Sequence, residues 1–271
     1  MIKDITFGQY IDSDSAIHRL DPRIKIILLV LLLVVLFLCK GFITLGIMLA
    51  FTLGIMLVSK VSFKLYLKNL KVILPIIILT SLLNLFYTKT GVEYHLFLNL
   101  SIYSDGIFKA VFMSLRLLML IILSSVLTYT TTPNDITDAM ERLLMPLKYI
   151  GLGGAVHTFS MMMTIALRFI PTLIEETDKI MNAQKARGAD LESGGIIKRL
   201  KSLLPILIPL LISSVRRAYE LAEAMESRCY NGGKGRTRMK QMKLSATDVI
   251  IFISALIINA AIIFVSFYFK W

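Results

Sequence analysis

The chain contains 271 residues, of which 56% are apolar and only 18% are charged. Soluble domains usually hold about 45–50% apolar and about 25% charged residues, so this composition excludes a disordered chain, a collagen and an ordinary soluble globule. Lysine and arginine outnumber aspartate and glutamate by 30 to 18. Because the basic residues flank apolar segments, we interpret the net charge of +12 as a feature of a membrane protein and expect no nucleic-acid partner.

Four apolar segments in the first half of the chain predict four membrane spans. The segment from Ile26 to Val58 would be about 50 Å long as one helix, too long for a hydrocarbon core of about 30 Å, and Lys40-Gly41 interrupts it. A fifth apolar segment, near the C-terminus, ends in aromatic residues and a lysine, which are typical of the membrane interface. The predicted spans are residues 24–39, 41–58, 72–87, 106–130 and 246–269.

The charges between the spans predict the orientation. The N-terminal flank, with Arg19, Arg23 and Lys25, is basic, and so is the predicted connection at 60–71, which contains four lysines and no acidic residue. Three of these lysines lie four residues apart, on one face of a helix. The predicted loop at 88–105 instead carries a net charge of −1. The positive-inside rule therefore places the N-terminus and 60–71 in the cytoplasm and 88–105 outside, so that the fifth span leaves the C-terminus outside.

Residues 131–243, between the fourth and fifth spans, form a charged block with 17 Lys and Arg and 11 Asp and Glu residues. Helix start signals, glycines and apolar periodicity predict three helices in it, at 134–148, 155–187 and 196–228. We therefore predict an all-α membrane protein of about five transmembrane helices plus a cytoplasmic or interfacial module of three helices. The predicted divisions are a membrane part at 1–130, the helical module at 131–243 and a last transmembrane helix at 244–271.

The second and third helices of this module share one plan. Each has an apolar first half that contains proline, a charged second half, and an arginine in its last turn, Arg187 or Arg228. A tilted, partly embedded helix pair fits this plan, because Arg168, Arg199 and Lys201 make deep spans costly. Two additional spans that form a hairpin are the alternative.

These helices carry the candidate functional residues. An arginine at a helix end ordinarily pairs with the free carbonyls there. Two arginines at matching ends favour docking into acidic grooves, because the planar guanidinium binds a carboxylate through two hydrogen bonds. Pro171, Pro205 and Pro209 are candidate flex points, with ordinary packing kinks as the alternative. Glu175-Glu176 is interpreted as a solvated face rather than an acid–base pair.

The sequence shows no pattern of catalytic, nucleotide-binding or metal-binding residues. The segment from Gly232 to Thr237 lacks the residue order of a phosphate-binding loop. His18, His95 and His157 are far apart in sequence, so they imply no metal cluster. We therefore expect a chain that is not an enzyme and that binds no cofactor or metal ion of its own.

Six short segments carry a resemblance to a known family. They are Gly8-Gln9-Tyr10-Ile11, His18-Arg19-Leu20-Asp21-Pro22-Arg23-Ile24-Lys25, Thr132-Pro133-Asn134-Asp135, Ala166-Leu167-Arg168-Phe169-Ile170-Pro171, Gln184-Lys185-Ala186-Arg187-Gly188-Ala189-Asp190 and Ala224-Met225-Glu226-Ser227-Arg228-Cys229-Tyr230. Together they resemble the transmembrane coupling component, or T component, of energy-coupling factor (ECF) transporters, the CbiQ-like family of prokaryotic vitamin and metal importers. The resemblance covers nearly the whole chain.

The resemblance implies a role and partners. It implies a non-catalytic subunit of an ATP-driven importer in the prokaryotic cell membrane, with the N-terminus and 131–243 cytoplasmic. Two long coupling helices would transmit the motion of two ATP-binding-cassette ATPases, which bind ATP and Mg, to a small membrane substrate-binding protein, the S component. The motifs Ala186-Arg187-Gly188 and Ser227-Arg228-Cys229 would dock in the ATPases. The second departs from the usual Ala-Arg-Gly, with serine and cysteine at its first and third positions.

The alternatives to this function are a self-contained secondary carrier and a membrane enzyme. Carriers usually place ionisable groups or broken helices at mid-membrane. Arg116 is the clearest charge inside a predicted span, but no inverted repeat is evident. No catalytic constellation supports an enzyme. The coupling subunit is therefore the leading hypothesis, and the carrier is the alternative.

Overall fold

A computed structural model of the chain describes residues 10–88, 90–96, 100–189, 195–232 and 244–268. The α-helices of these ranges are α1 (Ala16–Arg19), α2 (Pro22–Leu38), α3 (Phe42–Val58), α4 (Phe63–Tyr87), α5 (Ser104–Thr130), α6 (Pro133–Leu144), α7 (Gly153–Ala186), α8 (Ile196–Ser227) and α9 (Ala246–Tyr268). The expected all-α membrane architecture is confirmed. Parts of the sequence predictions lie outside the described ranges: Gly8-Gln9 and Asp190 of the family segments, residues 233–237, and the interfacial residues 269–271.

Two short elements were not expected from the sequence. The predicted loop at 88–105 contains a hairpin of two antiparallel strands, β1 (Glu93–Leu96) and β2 (Leu100–Tyr103). The helix predicted to run from 134 to 148 ends as an α-helix at Leu144 and continues as a 3₁₀ helix at Met145–Ile150. Pro146 explains the change, because it has no N–H to donate to the carbonyl four residues earlier.

Within the described ranges, five helices are long and apolar enough to cross a membrane: α4, α5, α7, α8 and α9. Three of them, α4, α5 and α9, coincide with predicted spans. The first two predicted spans are α2 and α3, apolar helices of 17 residues that are each about 26 Å long at 1.5 Å per residue. Since α7 and α8 also meet the criterion by length and composition, an embedded pair and a spanning hairpin both stay open.

The segment at 60–71, which separates two predicted spans, is helical for most of its length. Helix α4 begins at Phe63, because its first turns pack against α5. Tyr66 is buried, and Nδ2 of Asn69 donates a hydrogen bond to Oγ of Ser125 at 3.1 Å. The lysines of the segment stay exposed. The helical spacing of the lysines is thus confirmed, but the segment continues directly into the next predicted span as one helix.

Residues 10–136 and 244–268 form one compact unit, which we call the membrane unit. Its core lies between α2, α3, α5 and α9, where Leu36, Met48 and Met119 are fully buried. Residues 137–232 form the second unit, which contains the 3₁₀ helix, α7 and α8. Helix α6 begins in the first unit, where the hydroxyl of Thr132 accepts a hydrogen bond from the N–H of Asp135 at 3.2 Å and caps the helix.

Arg116, the charge that suggested a carrier, has a structural role. Its Nη2 atom donates to the carbonyl oxygen of Cys39, at the C-terminal end of α2, at 2.7 Å. Its guanidinium lies over the ring of Phe112, 4.7 Å from the centroid. The last carbonyls of a helix have no partner within the helix, so a guanidinium at this place satisfies one of them. This arrangement disfavours Arg116 as a mid-membrane substrate site.

Gly106 lies at a close approach of α4 and α5. A Cβ atom there would be 2.9 Å from the carbonyl oxygen of Leu85, a backbone atom. We expect Gly106→Ala to force the helices apart and to lower the free energy of unfolding by about 1–3 kcal/mol, the usual cost of overpacking. Gly54→Ala is the control, because a Cβ there meets no atom within 4 Å. Thermal denaturation in detergent measures both variants, and equal melting temperatures would contradict the prediction.

Candidate functional site

The two long helices α7 and α8 form an antiparallel hairpin. Gln184, near the end of α7, donates a hydrogen bond to the carbonyl oxygen of Pro205, near the start of α8. Tyr230, just after the end of α8, donates from its hydroxyl to the sulfur of Met161, near the start of α7, at 2.7 Å. The two helices repeat one sequence plan, but their arginine-bearing ends therefore lie at opposite ends of the hairpin.

A proline supplies the acceptor for Gln184. Pro209 has no N–H, so the carbonyl oxygen of Pro205, four residues earlier in α8, has no partner within the helix. The Nε2 atom of Gln184 donates to this oxygen at 3.4 Å. Helices α7 and α8 are continuous through Pro171, Pro205 and Pro209, and their role as flex points stays a prediction.

Glu176 joins the two helices at the middle of the hairpin. One of its carboxylate oxygens accepts a hydrogen bond from the hydroxyl of Ser213, and the other lies 2.5 Å from Nη2 of Arg217. Glu175 is exposed, as the interpretation of a solvated face expects, whereas Glu176 lies at the contact between the two helices with a side chain that is 20% exposed. Sequence reasoning missed this group because its partners are 37 and 41 residues away and meet it only in the antiparallel register.

Helix α7 ends in a Schellman motif around Arg187. The N–H of Gly188 donates to the carbonyl oxygen of Lys185 at 3.0 Å, and the N–H of Ala189 donates to that of Gln184 at 3.0 Å. Gly188 has a φ of +84°, the left-handed conformation that this motif requires. Backbone groups thus satisfy these carbonyls, so the helix end does not need the Arg187 side chain as a cap.

Helix α8 ends in the same motif around Arg228. The N–H of Cys229 donates to the carbonyl oxygen of Glu226 at 2.8 Å, and the N–H of Tyr230 donates to that of Met225 at 3.0 Å. Cys229 occupies the left-handed position with a φ of +53°. The second motif therefore has the backbone geometry of the first, although it has cysteine where the first has glycine.

Substitutions at the two left-handed positions, Gly188 and Cys229, should change the stability of the helix ends in opposite directions. We expect Cys229→Gly to stabilise the end of α8 by about 1 kcal/mol, because a side chain in this conformation is strained relative to glycine. Gly188→Ala should destabilise the end of α7 by a similar amount, through backbone strain alone, since a Cβ there meets no atom within 4 Å. Amide hydrogen exchange in the last turn of each helix measures both changes. Effects of the same sign would contradict the assigned geometry.

The six candidate docking residues form two exposed groups, Ala186, Arg187 and Gly188 at one end and Ser227, Arg228 and Cys229 at the other. Neither arginine forms an ion pair within the part of the chain that the structure describes. Helix α7 rises about 39 Å between Met161 and Arg187 at 1.5 Å per residue. Because Tyr230 contacts Met161, the two groups lie about 40 Å apart.

The hairpin also exposes a large apolar surface. Most of it belongs to the first half of α8, and Leu211 alone is 66% exposed. Its exposed apolar side chains include Leu204, Leu207, Ile208, Leu211 and Ile212 of α8 and Phe159, Met162 and Met163 of α7. Contiguous apolar surface of this kind is typical of a contact with membrane or with another protein.

The described residues contain no group of three or more His, Cys, Asp or Glu side chains that could hold a metal ion. His157 instead pairs with Glu141, with 3.3 Å between Nδ1 and Oε1. The expectation that this chain binds no cofactor stays a prediction.

Comparison with known proteins identifies the family. Residues 13–239 match the CbiQ family, described as cobalt transport protein. The chain is 54% identical to the energy-coupling factor transporter transmembrane protein EcfT of Clostridium kluyveri over 260 residues, 95% of each chain. Proteins of the same name match at 48% identity in Thermosediminibacter oceani, over 93% of this chain and 94% of that protein, and at 41% in Bacillus subtilis, over 97% and 99%. The resemblance is thus confirmed: the chain belongs to the CbiQ family of multi-pass membrane proteins, among the transmembrane T components of energy-coupling factor transporters.

Proposed function

We propose that this chain is a non-catalytic coupling subunit, which transmits the motion of two ATP-binding-cassette ATPases through α7 and α8 to a membrane substrate-binding protein, the S component. The observation that carries the proposal is the pair of exposed arginine-bearing ends. Both are built by the same Schellman motif, and one hairpin holds them about 40 Å apart. Two equivalent ends on one hairpin favour two partner subunits, one at each end.

The chemistry of each end supports docking into an acidic groove. Because backbone N–H groups cap the carbonyls of α7 and α8, the guanidinium groups of Arg187 and Arg228 remain available to a partner. Arginine binds carboxylates through two parallel charge-assisted hydrogen bonds, so grooves lined by Asp or Glu are the expected partners. ATP and Mg bind to the ATPases in this proposal, and this chain contributes no cofactor site.

The apolar surface of the hairpin is the proposed contact for the S component, which would carry the vitamin or metal ion. The exposed leucines and isoleucines of α8 lie between the two arginine-bearing ends along the helix pair. Any change in the angle or spacing of the ends would therefore alter this surface. In this mechanism, ATP hydrolysis by the ATPases moves α7 and α8 as rigid bodies. This motion reshapes the apolar surface that holds the S component.

The proposed orientation follows from the charges. The N-terminus and residues 131–243 lie in the cytoplasm, where the ATPases bind, and the C-terminus lies outside. The exposed lysines at the start of α4 support this orientation. They precede the apolar part of the helix, and the positive-inside rule places such residues in the cytoplasm. The location is a prokaryotic cell membrane.

Co-purification tests the proposed function. The tagged chain is isolated from native membranes in mild detergent, and the bound proteins are identified by mass spectrometry. We expect two ATPase subunits and a small membrane protein in the eluate. A chain that elutes alone, and that transports substrate in liposomes without ATP, would contradict the proposal and favour the secondary carrier.

A further inference from the structure

The segment from His18 to Lys25 is part of the family resemblance but has no role in the proposed function. In the structure it lies at one end of the membrane unit, beside the last turn of α5 and the first turn of α9. Two buried sets of contacts connect these elements. One is centred on the ammonium group of Lys25, and the other joins two carboxylates.

The ammonium group of Lys25 binds the end of α5. The side chain is 7% exposed, and Nζ donates to the carbonyl oxygen of Thr130 at 2.8 Å and to Oγ1 of Thr131 at 3.3 Å. Its third partner is the carbonyl oxygen of His18, in α1, at 3.2 Å. An ammonium group has three N–H donors, so this set uses all of them. The positive charge also lies at the C-terminal end of α5, where the helix dipole favours a cation.

The second set joins α2 to α9. Asp21 caps α2, and its backbone N–H donates to Oδ1 of Asp248 at 3.2 Å. The other oxygen of Asp248 accepts a hydrogen bond from the N–H of Ser245 at 2.9 Å, and this bond caps α9. Asp21 and Asp248 are 6% and 3% exposed. Burial acts to raise the pKa of Asp21, but hydrogen bonds from Arg23 and the charges of Arg23 and Lys25 outweigh it and hold the pKa below its usual value.

The two sets form one buried charge cluster. Asp21, Asp135 and Asp248 all lie close enough to Lys25 to interact with its charge. A buried ammonium group is tolerated when carboxylates and hydrogen-bond acceptors surround it. Removing Lys25 therefore leaves the carbonyl of Thr130 without this partner, while Asp21 keeps its ion pair with Arg23 at 2.6 Å.

The place of this cluster along the chain gives it a mechanical consequence. Helix α5 ends at Thr130 and α6 begins at Pro133, so Thr131 and Thr132 form the whole connection between α5 and α6, the helix that leads to α7. Lys25 binds the first of these residues, and the second caps α6. A connection of two residues transmits any motion of α6 directly to the end of α5 unless that end is fixed.

We propose that Lys25 is a positioning residue of the transport cycle, which fixes the C-terminal end of α5 to α1, α2 and α9 so that the coupling helices move against a fixed point. Its effect on transport rests on the proposed function, but the contact itself does not. Lys25 of this chain supplies the ammonium group itself, so the contact requires no ligand.

Lys25→Met tests this proposal, because it keeps the length of the side chain and removes the three donors. We expect the number of substrate molecules taken up per ATP hydrolysed to fall roughly 2- to 30-fold in proteoliposomes that contain the assembled complex, the range for residues that modulate coupling without touching a ligand. In the chain alone, in nanodiscs, amide hydrogen exchange at residues 130–136 should become faster. Lys64→Met, which removes an exposed lysine of α4, is the matched control and should change neither quantity.

The outcomes separate this proposal from the proposed function. An assembled complex with unchanged uptake per ATP overturns the positioning role, even if hydrogen exchange increases. A wild-type chain that binds no ATPase overturns the proposed function, and this inference with it. If Lys25→Met does not fold, Thr131→Val decides, because it removes one of the three acceptors and keeps the shape of the side chain. It should lower uptake per ATP in the same direction by a smaller factor, and an unchanged ratio overturns the proposal.

Discussion

Replacing Arg187 and Arg228 together by glutamate is expected to abolish association with the ATPases while leaving membrane insertion intact. Both side chains are exposed at the ends of the hairpin and belong to no buried core cluster, so the change should not unfold the protein. A glutamate at each end would face carboxylates in the proposed grooves. Co-purification of the ATPases with the tagged variant, compared with the wild type, measures the effect.

The single variants should act independently. Because the two ends lie about 40 Å apart, one partner cannot cover both, and their effects should add. Losing one desolvated charge pair at an interface costs about 2 kcal/mol or more, so each single variant should weaken association roughly 30-fold or more. Titration of purified ATPases onto the chain in nanodiscs gives both affinities.

Arg216→Glu is the matched control for these variants. Arg216 is exposed on α8 and has no ion-pair partner within the described ranges, so it undergoes the same change of charge on the same helix away from the end. It should leave ATPase binding nearly unchanged. Equal losses in Arg216→Glu and Arg228→Glu would indicate a general effect of charge and contradict specific docking. Unchanged association in the double variant would exclude the arginine ends as the docking site.

Glu176→Arg should open the middle of the hairpin of α7 and α8. It removes the acceptor of Ser213 and sets a second positive charge against Arg217, both within a partly buried contact. We expect the contact between α7 and α8 to loosen at this place, because like charges then face each other where an ion pair stood. Spin labels at positions 182 and 207, on facing parts of α7 and α8, should show a longer and broader distance distribution.

The reciprocal exchange tests whether the pair itself is responsible. Glu176→Arg combined with Arg217→Glu restores opposite charges at the same place and should recover much of the lost order. Glu175→Arg is the control, because Glu175 is the exposed neighbour on the same helix. If the exchange gives no recovery, or if Glu175→Arg broadens the distances equally, then the contact seen between Glu176 and Arg217 does not hold the hairpin together.

The ends of α7 and α8 could be predicted from the sequence to within two residues. The predicted ranges 155–187 and 196–228 compare with Gly153–Ala186 and Ile196–Ser227 in the structure. Gly188 marks the end of α7, because glycine adopts the left-handed conformation without strain, whereas Cys229 takes this position after α8. The lysine spacing at 60–71 indicates a helix, but its packing could not be predicted, since the contact of Asn69 with Ser125 of α5 joins residues that are 56 apart.

The sequence by itself determined the class of protein, the helices and the arginines at their ends. Hydrophobic length, charge bias and helix-capping residues are local, so each can be recognised within a few turns of chain. Only the tertiary structure decided which groups meet. The antiparallel register separates Arg187 from Arg228 and brings Glu176 to Arg217, and the packing of the membrane unit brings Lys25 to Thr130, 105 residues away. Side-chain pairing at such separations depends on how whole helices pack, which no local pattern specifies.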